Sequence, residues 1–301
     1  MSSTADLILE RRRTRRRLSF WRFLAIAAVV VAVIAMVPRD VVQTGDHIAR
    51  ISIDGVILDD PQRDAILADL AEREDVDAVI VSISSPGGTV VASEAVYLNL
   101  RRIAETKPIV SVMREYAASG GYITAIAADH IVARGNTMTG SIGVLAEIPN
   151  LAGLLDTIGI DVTRVKSAPL KAEPSITEAP SPEALAAQEA LIADMFAWFR
   201  GLVSERRDLD GGALDAVTDG RAFTGRQALE LSLVDTLGGE RDAVDWLVET
   251  HYIDPDLQIV DYWPKPKDRF LAATLDAARL SVMAESLLID AGIPRLLAIM
   301  R

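Results

Sequence analysis

The spacing of apolar positions changes several times along the chain, and each change marks an element. Residues 23–37 (FLAIAAVVVAVIAMV) are apolar on every side and carry no charge, which suits lipid better than a one-faced core helix. In HIARISIDGVI (47–57) Ile51 and Ile53 alternate with polar residues, the period of a strand. PQRDAILADLAERED (61–75) then returns to helical spacing with Ile66, Leu67 and Leu70 on one face. A continuous apolar run at 76–83 (VDAVIVSI) predicts a strand covered on both faces; it ends in the turn Ser84-Ser85-Pro86-Gly87-Gly88, followed by a helix. The cycle repeats with a strand at 109–112, a turn at Ala117-Ala118-Ser119-Gly120-Gly121 and a helix at 119–128. Short strands are expected near 130–133, 141–146 and 161–166. Pro169, Pro174 and Pro180 mark an irregular connection before a long helix from Pro182, capped by Ser181. Residues 220–250 read as strand, helix, strand, helix, and 268–300 as an apolar helical tail. Strands alternating with helices predict an α/β fold with a mostly parallel sheet.

Charge sharpens the reading of the first segment. The apolar run follows Arg11, Arg12, Arg13, Arg15, Arg16 and Arg17, and Phe20 and Trp21 extend it if Arg22 snorkels. By the positive-inside rule this is a single-pass signal anchor at 20–38 in the cytoplasmic (inner) membrane, with a basic cytoplasmic segment at 1–19. Small residues abound in the apolar run, but no clean A-x-A cleavage site precedes the folded part, which argues against a cleaved signal peptide. The exported region is then 39–267, with the tail at 268–301. The seven arginines of residues 1–38 against Asp6 and Glu10 give +5, and the whole chain carries −12, so residues 39–301 carry −17. An acidic body excludes a general nucleic-acid binder.

Composition narrows the chemistry. With no cysteine among 301 residues, thiolate nucleophiles, thiolate metal sites and disulfides are excluded. The three histidines, His47, His130 and His251, are scattered without metal-ligand spacing, and neither metal nor cofactor is expected. The two glycine turns follow buried strands, where an open α/β sheet presents its ligand crevice. Gly87 and Gly88 either serve a tight turn or let backbone N–H groups approach a substrate oxygen. Ser119, ahead of a helix, is either its N-cap or a nucleophile. A nucleophile needs a base, and His130 stands about 16 Å along the same expected helix at 1.5 Å per residue, out of reach. Arginine keeps its proton, so among 26 arginines and five lysines the lysines are the candidates. Lys171, between Ala168, Pro169, Leu170, Ala172 and Pro174, has the most apolar company; a solvated surface lysine is the alternative. Glu173 is the nearest carboxylate that could pair with it, unless a turn or a rotation about Ala172 separates the two side chains.

The run from Met113 to Ala133 (MREYAASGGYITAIAADHIVA), continued by TMTGSIGV at 137–144, resembles the signature of the signal peptide peptidase A family, also called protease IV. These are membrane-anchored serine-lysine proteases. The Ser-Pro-Gly-Gly turn, a lysine about fifty residues beyond the serine, and Asp219-Gly220-Arg221-Ala222-Phe223-Thr224-Gly225-Arg226-Gln227-Ala228 leading to Leu233-Val234-Asp235 complete the family's motifs in order. Two departures are Ser84, where many relatives have asparagine, and Ala168, where many have glycine. The resemblance implies a crotonase- and Clp-protease-like fold, Ser119 as nucleophile, Lys171 as general base, an oxyanion hole from the N–H groups of Gly88 and Gly120, and Ser141 orienting the lysine. It further implies peptide substrates, among them remnant signal peptides, and a homo-oligomer, ring-shaped or dome-shaped, in which serine and lysine can come from adjacent copies. The alternatives are a crotonase-like acyl-thioester enzyme on the same glycine turns and a non-catalytic membrane-tethered scaffold.

Overall fold

A computed structural model describes Trp21 and residues 45–262. The expected anchor at 20–38, the basic segment at 1–19 and the tail at 268–301 thus lie, Trp21 apart, outside the described residues. Among the described residues no helix is long and apolar enough to cross a membrane.

The centre is an eight-stranded sheet. Strands β1 (His47–Ile57), β2 (Val76–Gly88) and β3 (Ile109–Ala118) lie side by side and parallel. β4 (His130–Ala133) and β5 (Met138–Gly140) both continue from β3, β4 along its first half and β5 along its second. β6 (Ala222–Thr224) is the sole antiparallel member, on β5; β7 (Thr236–Leu237) pairs with β4, and β8 (Ile259–Asp261) returns to β1. The α/β class with a mostly parallel sheet is therefore observed.

Alternation along the strands creates two cores. Ala49, Ile51 and Ile53 of β1 and Val79, Val81 and Ile83 of β2 face α1 (Pro61–Glu72), α2 (Val90–Ala104) and α3 (Gly120–Ala125). Ile48, Ala78 and Ile80 face the other way, onto Ala243 and Leu247 of α8 (Glu240–His251). Cover on both faces explains why 76–83 reads as unbroken apolar sequence. Between α3 and α8 in chain order come α4 (Ala152–Thr157), α5 (Pro182–Arg207), α6 (Gly211–Val217) and α7 (Gly225–Glu230), the last three adding Phe199, Val203, Leu214, Val217 and Ala228 to the first core. Ser181 caps α5 by accepting from the Ala184 N–H at 3.1 Å, with proline in its first turn as expected.

Two expected strands are absent. The strand expected at 141–146 ends at Gly140, because Gly140 (φ 76°) and Ser141 (φ 49°) turn the backbone out of the extended region. Residues 161–166 form no strand and are mostly solvent-exposed, and the helix expected at 119–128 is regular only over Gly120–Ala125.

Candidate active site

The site forms at the C-terminal ends of β2 and β3. The Ser85 hydroxyl, fully buried, accepts from the Gly87 N–H at 3.1 Å and shapes the turn that closes β2. Gly88 then passes β1 so closely that a Cβ there would lie 1.8 Å from the Ile57 carbonyl oxygen; only glycine fits. Ser119 occupies the junction of β3 and α3 with φ 54° and ψ −120°, a conformation costly for any residue with a Cβ. Its own N–H donates to the Gly140 carbonyl at 2.8 Å, and its carbonyl accepts from Tyr122 and Ile123. The hydroxyl makes no capping bond to α3, which decides between the two sequence readings: Ser119 is not serving as a side-chain N-cap.

The two glycine turns converge on this serine. A Cβ built on Gly120 would lie 3.2 Å from the Gly88 nitrogen and 2.2 Å from the Ser93 hydroxyl oxygen; one built on Gly87 would lie 2.8 Å from the Gly120 nitrogen. Gly88, Ser119 and Gly120 thus line one cavity, together with Ser93, Ile123 and Phe199. Being the first residue of α3, Gly120 has an N–H without an intrahelical acceptor, and the positive end of the helix lies at the same place. The cavity shares Gly88, Val90 and Val144 with a larger groove of ≈ 490 Å³. Apolar side chains dominate its walls, among them Val56 of β1, Leu58 just after that strand, and Leu191, Ile192 and Met195 of α5. Nothing in the sequence marked Ser93, Phe199 or the α5 residues, since they read as ordinary helix positions.

Ser141 directly follows the Gly140 carbonyl that holds Ser119, and its N–H donates to the Arg221 carbonyl at 2.8 Å. The Asp219–Thr224 segment therefore forms the back wall of the Ser141 turn. Lys171 is elsewhere. It stands exposed on the turn 168–172 and is not among the residues lining the Ser119 cavity of its own chain. Glu173 turns away from it: the carboxylate accepts from Lys166 at 2.5 Å and Arg164 at 2.8 Å, and Ala172 has φ 59°, the rotation that separates the neighbours. The Lys166 ammonium, with Arg164, holds the Glu173 carboxyl below the usual carboxylate range. In the stretch of chain leading into this turn Leu145, Leu154, Ile158, Val165 and Leu170 are exposed, Val165 to 97%.

The histidines are spent elsewhere. His47 is buried against Tyr262, whose hydroxyl is 2.6 Å from Nε2. His130 stacks on Trp246 and bonds the Thr236 hydroxyl at 2.9 Å, and His251 meets the edge of Trp246. Among the described residues no group of acidic and histidine side chains could hold a metal ion.

A serine on a strained strand-to-helix turn, with backbone amides from two glycine turns beside it, is the arrangement of a hydrolase that works through a covalent acyl intermediate. Residues 101–254 match Peptidase family S49, and the chain belongs to that family. It is a serine protease of the signal peptide peptidase type. A Synechocystis sp. protein named as a protease is 38% identical over 246 residues, covering 81% of this chain and 88% of that one. One from Enterococcus faecium named as a signal peptide peptidase is 30% identical over 71% of this chain and 66% of its own length. The chloroplastic serine protease SPPA of Arabidopsis thaliana is 36% identical over 58% of this chain, and the match spans 26% of that longer protein.

Proposed function

We propose that the chain is a membrane-anchored serine endopeptidase of the cytoplasmic membrane with a Ser119–Lys171 dyad, acting outside the cytoplasm on apolar peptides, remnant signal peptides among them. The observation that carries this reading is Ser119 itself, held at φ 54° with no capping bond beside the Gly88 and Gly120 amides. In the reaction the Ser119 Oγ attacks the peptide carbonyl carbon while its proton passes to the neutral Lys171 amine. The N–H groups of Gly88 and Gly120 stabilise the oxyanion. As the tetrahedral adduct collapses, the C–N bond breaks, the same lysine returns the proton to the leaving amine, and an acyl-Ser119 ester remains. Water then attacks the ester, giving up its proton through the lysine and releasing the carboxylate product and free serine.

Lys171 is exposed within its own chain, and so are the apolar side chains around it. Exposed apolar surface of this extent favours burial against a second copy. We therefore assign the lysine to the site of a neighbouring copy in a closed homo-oligomer, where desolvation favours the neutral amine and Ser141 orients it. The apolar groove beside Gly88 suits apolar peptide side chains, and the acidic body disfavours nucleic acid. A thioester enzyme would use the same glycine turns but has no need of a serine in a strained turn. A scaffold without activity would not need one either.

The test is labelling of the full-length protein by a fluorophosphonate. Modification is expected at Ser119 and nowhere else, with loss of labelling and peptide hydrolysis in Ser119→Ala. Lys171→Arg should be as inactive as Lys171→Ala, because a guanidinium stays protonated near neutral pH. Full activity in Lys171→Arg would refute the base assignment.

A further inference from the structure

The helix that begins at Gly120 has only six residues, too few to hold a direction by its own hydrogen bonds. At its far end the chain leaves three successive carbonyls, Ile126, Ala127 and Ala128, and guanidinium groups take all three. The Arg206 Nε donates to the Ile126 carbonyl at 2.8 Å and its Nη2 to the Ala128 carbonyl at 2.8 Å. Between them, the Arg101 Nη1 donates to the Ala127 carbonyl at 2.8 Å. The two arginines come from different helices, α5 and α2, so the nucleophile helix is gripped from two sides.

Arg206 follows Phe199 by seven residues and Val203 by three, which puts all three on one face of α5. Phe199 lines the Ser119 cavity and Val203 is fully buried. The same helix, in its earlier turns, supplies Leu191, Ile192 and Met195 to the substrate groove. One rigid rod therefore touches the groove, the serine cavity and the far end of the nucleophile helix.

We propose that Arg206 is a positioning residue for the hydrolytic reaction: its fork on the Ile126 and Ala128 carbonyls, with Arg101 on Ala127, fixes the tilt of the short helix and so the place of the Gly120 N–H relative to Ser119. The geometry of the fork makes the role specific to arginine, since two donors in one plane span two carbonyls and a lysine ammonium cannot match that spacing. A helix free to tilt would still bind peptide in the groove but would present its amide poorly to the developing oxyanion. The loss falls on the chemical step rather than on binding. This inference rests on the assignment of Ser119 and Gly120 made above.

The experiment uses the full-length protein and measures two things: the rate constant of Ser119 phosphonylation by a fluorophosphonate, in which the P–O bond forms as fluoride leaves, and the final fraction of chains labelled. In parallel, kcat and KM are measured on an apolar peptide. For Arg206→Met the expected result is a fall in kcat and in phosphonylation rate of about tenfold or more, with KM within about twofold and final labelling near that of the unaltered chain. Arg206→Lys should recover part of the rate, and Arg101→Met, which frees one of the three carbonyls along with its contact to Asp129, should lose less than Arg206→Met. Arg200→Gln, on the same helix and paired with Asp215 away from the site, should change neither rate. If Arg206→Met instead lowers the labelled fraction while the labelled chains react at the normal rate, the residue only supports folding and the proposal is overturned. Equal rates in all variants would overturn it too. Absence of labelling at Ser119 in the unaltered protein would refute the catalytic reading itself, a result distinct from either of these.

Discussion

Gly120→Ala separates stability from catalysis. The residue begins α3 with an ordinary helical backbone, so the methyl group costs nothing in φ and gains up to about 1 kcal/mol of helix propensity. Against this, the new Cβ would lie 2.2 Å from the Ser93 hydroxyl oxygen, well inside van der Waals contact, and Ser93 is fully buried. Overpacking of this kind costs about 1–3 kcal/mol, so the net loss of stability is about 0–2 kcal/mol. For a domain of this size that is a fall in Tm of about 2–4 °C per kcal/mol. The effect on the reaction is larger. The methyl would also stand 3.2 Å from the Gly88 nitrogen, between the two amides assigned to the oxyanion, and loss of one such donor costs about 10²–10³ in kcat. Ser93→Ala alone gives up a bond to the Thr89 carbonyl of 3.0 Å, worth about 0.5–1.5 kcal/mol, and clears space beside Gly120. The assay is a double-mutant cycle read by thermal unfolding and by Ser119 acylation rate. Adding Ser93→Ala to Gly120→Ala should restore stability by at least about 1 kcal/mol relative to additivity, while the acylation rate stays low. Wild-type acylation in Gly120→Ala would refute the placement of the oxyanion at these amides; strict additivity would refute the clash with Ser93.

Co-expressed Ser119→Ala and Lys171→Ala chains, each inactive alone, should recover part of the hydrolytic activity, since some interfaces then pair an intact serine with an intact lysine; inactivity of verified mixed oligomers would place both groups of a dyad in one chain. Burial against Trp246 pushes His130 below the ordinary histidine value, an effect the Asp235 carboxylate only partly offsets. The unfolded chain therefore binds the proton more readily, and the contribution of this histidine, complete above pH of about 6.5, is lost as pH falls through its folded-state value. Urea unfolding at pH 7.5 and 5 should show a larger loss for the unaltered chain than for His130→Gln, and equal losses would refute the assignment. Alkaline phosphatase fused after residue 45 should be active outside the cytoplasmic membrane, as the arginines at 11–17 dictate; activity confined to the cytoplasm would overturn the orientation.

Sequence pattern revealed the sheet where burial on both faces leaves no choice, as in 76–83, and failed where apolar residues are left exposed among the described residues. Val162 and Val165 read as strand residues, yet both are exposed, because periodicity reports that a surface is apolar and not what it lies against. The serine turn was legible because glycines after a buried strand restrict what the backbone can do. The cavity beside it was less so: Ser93 and Phe199 enter it through helix packing, which no local spacing records. The proposal of Lys171 as the base rests on the scarcity of lysine and on its apolar neighbours, whereas its exposure follows from the path of a whole connection. The concern over Glu173 was settled by Arg164 and Lys166, two side chains whose reach the sequence does not give.

The first strand of the sheet finds β2 at once but waits longest for its second neighbour. β8 pairs with β1 from more than two hundred positions away, and Arg50 is tied there to Asp261 at 2.6 Å and to Glu240 at 2.8 Å. β6, which backs the Ser141 turn, lies some eighty residues beyond that turn. Contacts of such separation form late and slowly, since the loop between them must close first. A chain emerging N-terminus first has Ser119, with β2 and β3 before it, long before β6 reaches the Ser141 turn or β8 reaches β1. The backbone beside that serine therefore takes its final form only after some eighty further residues have arrived.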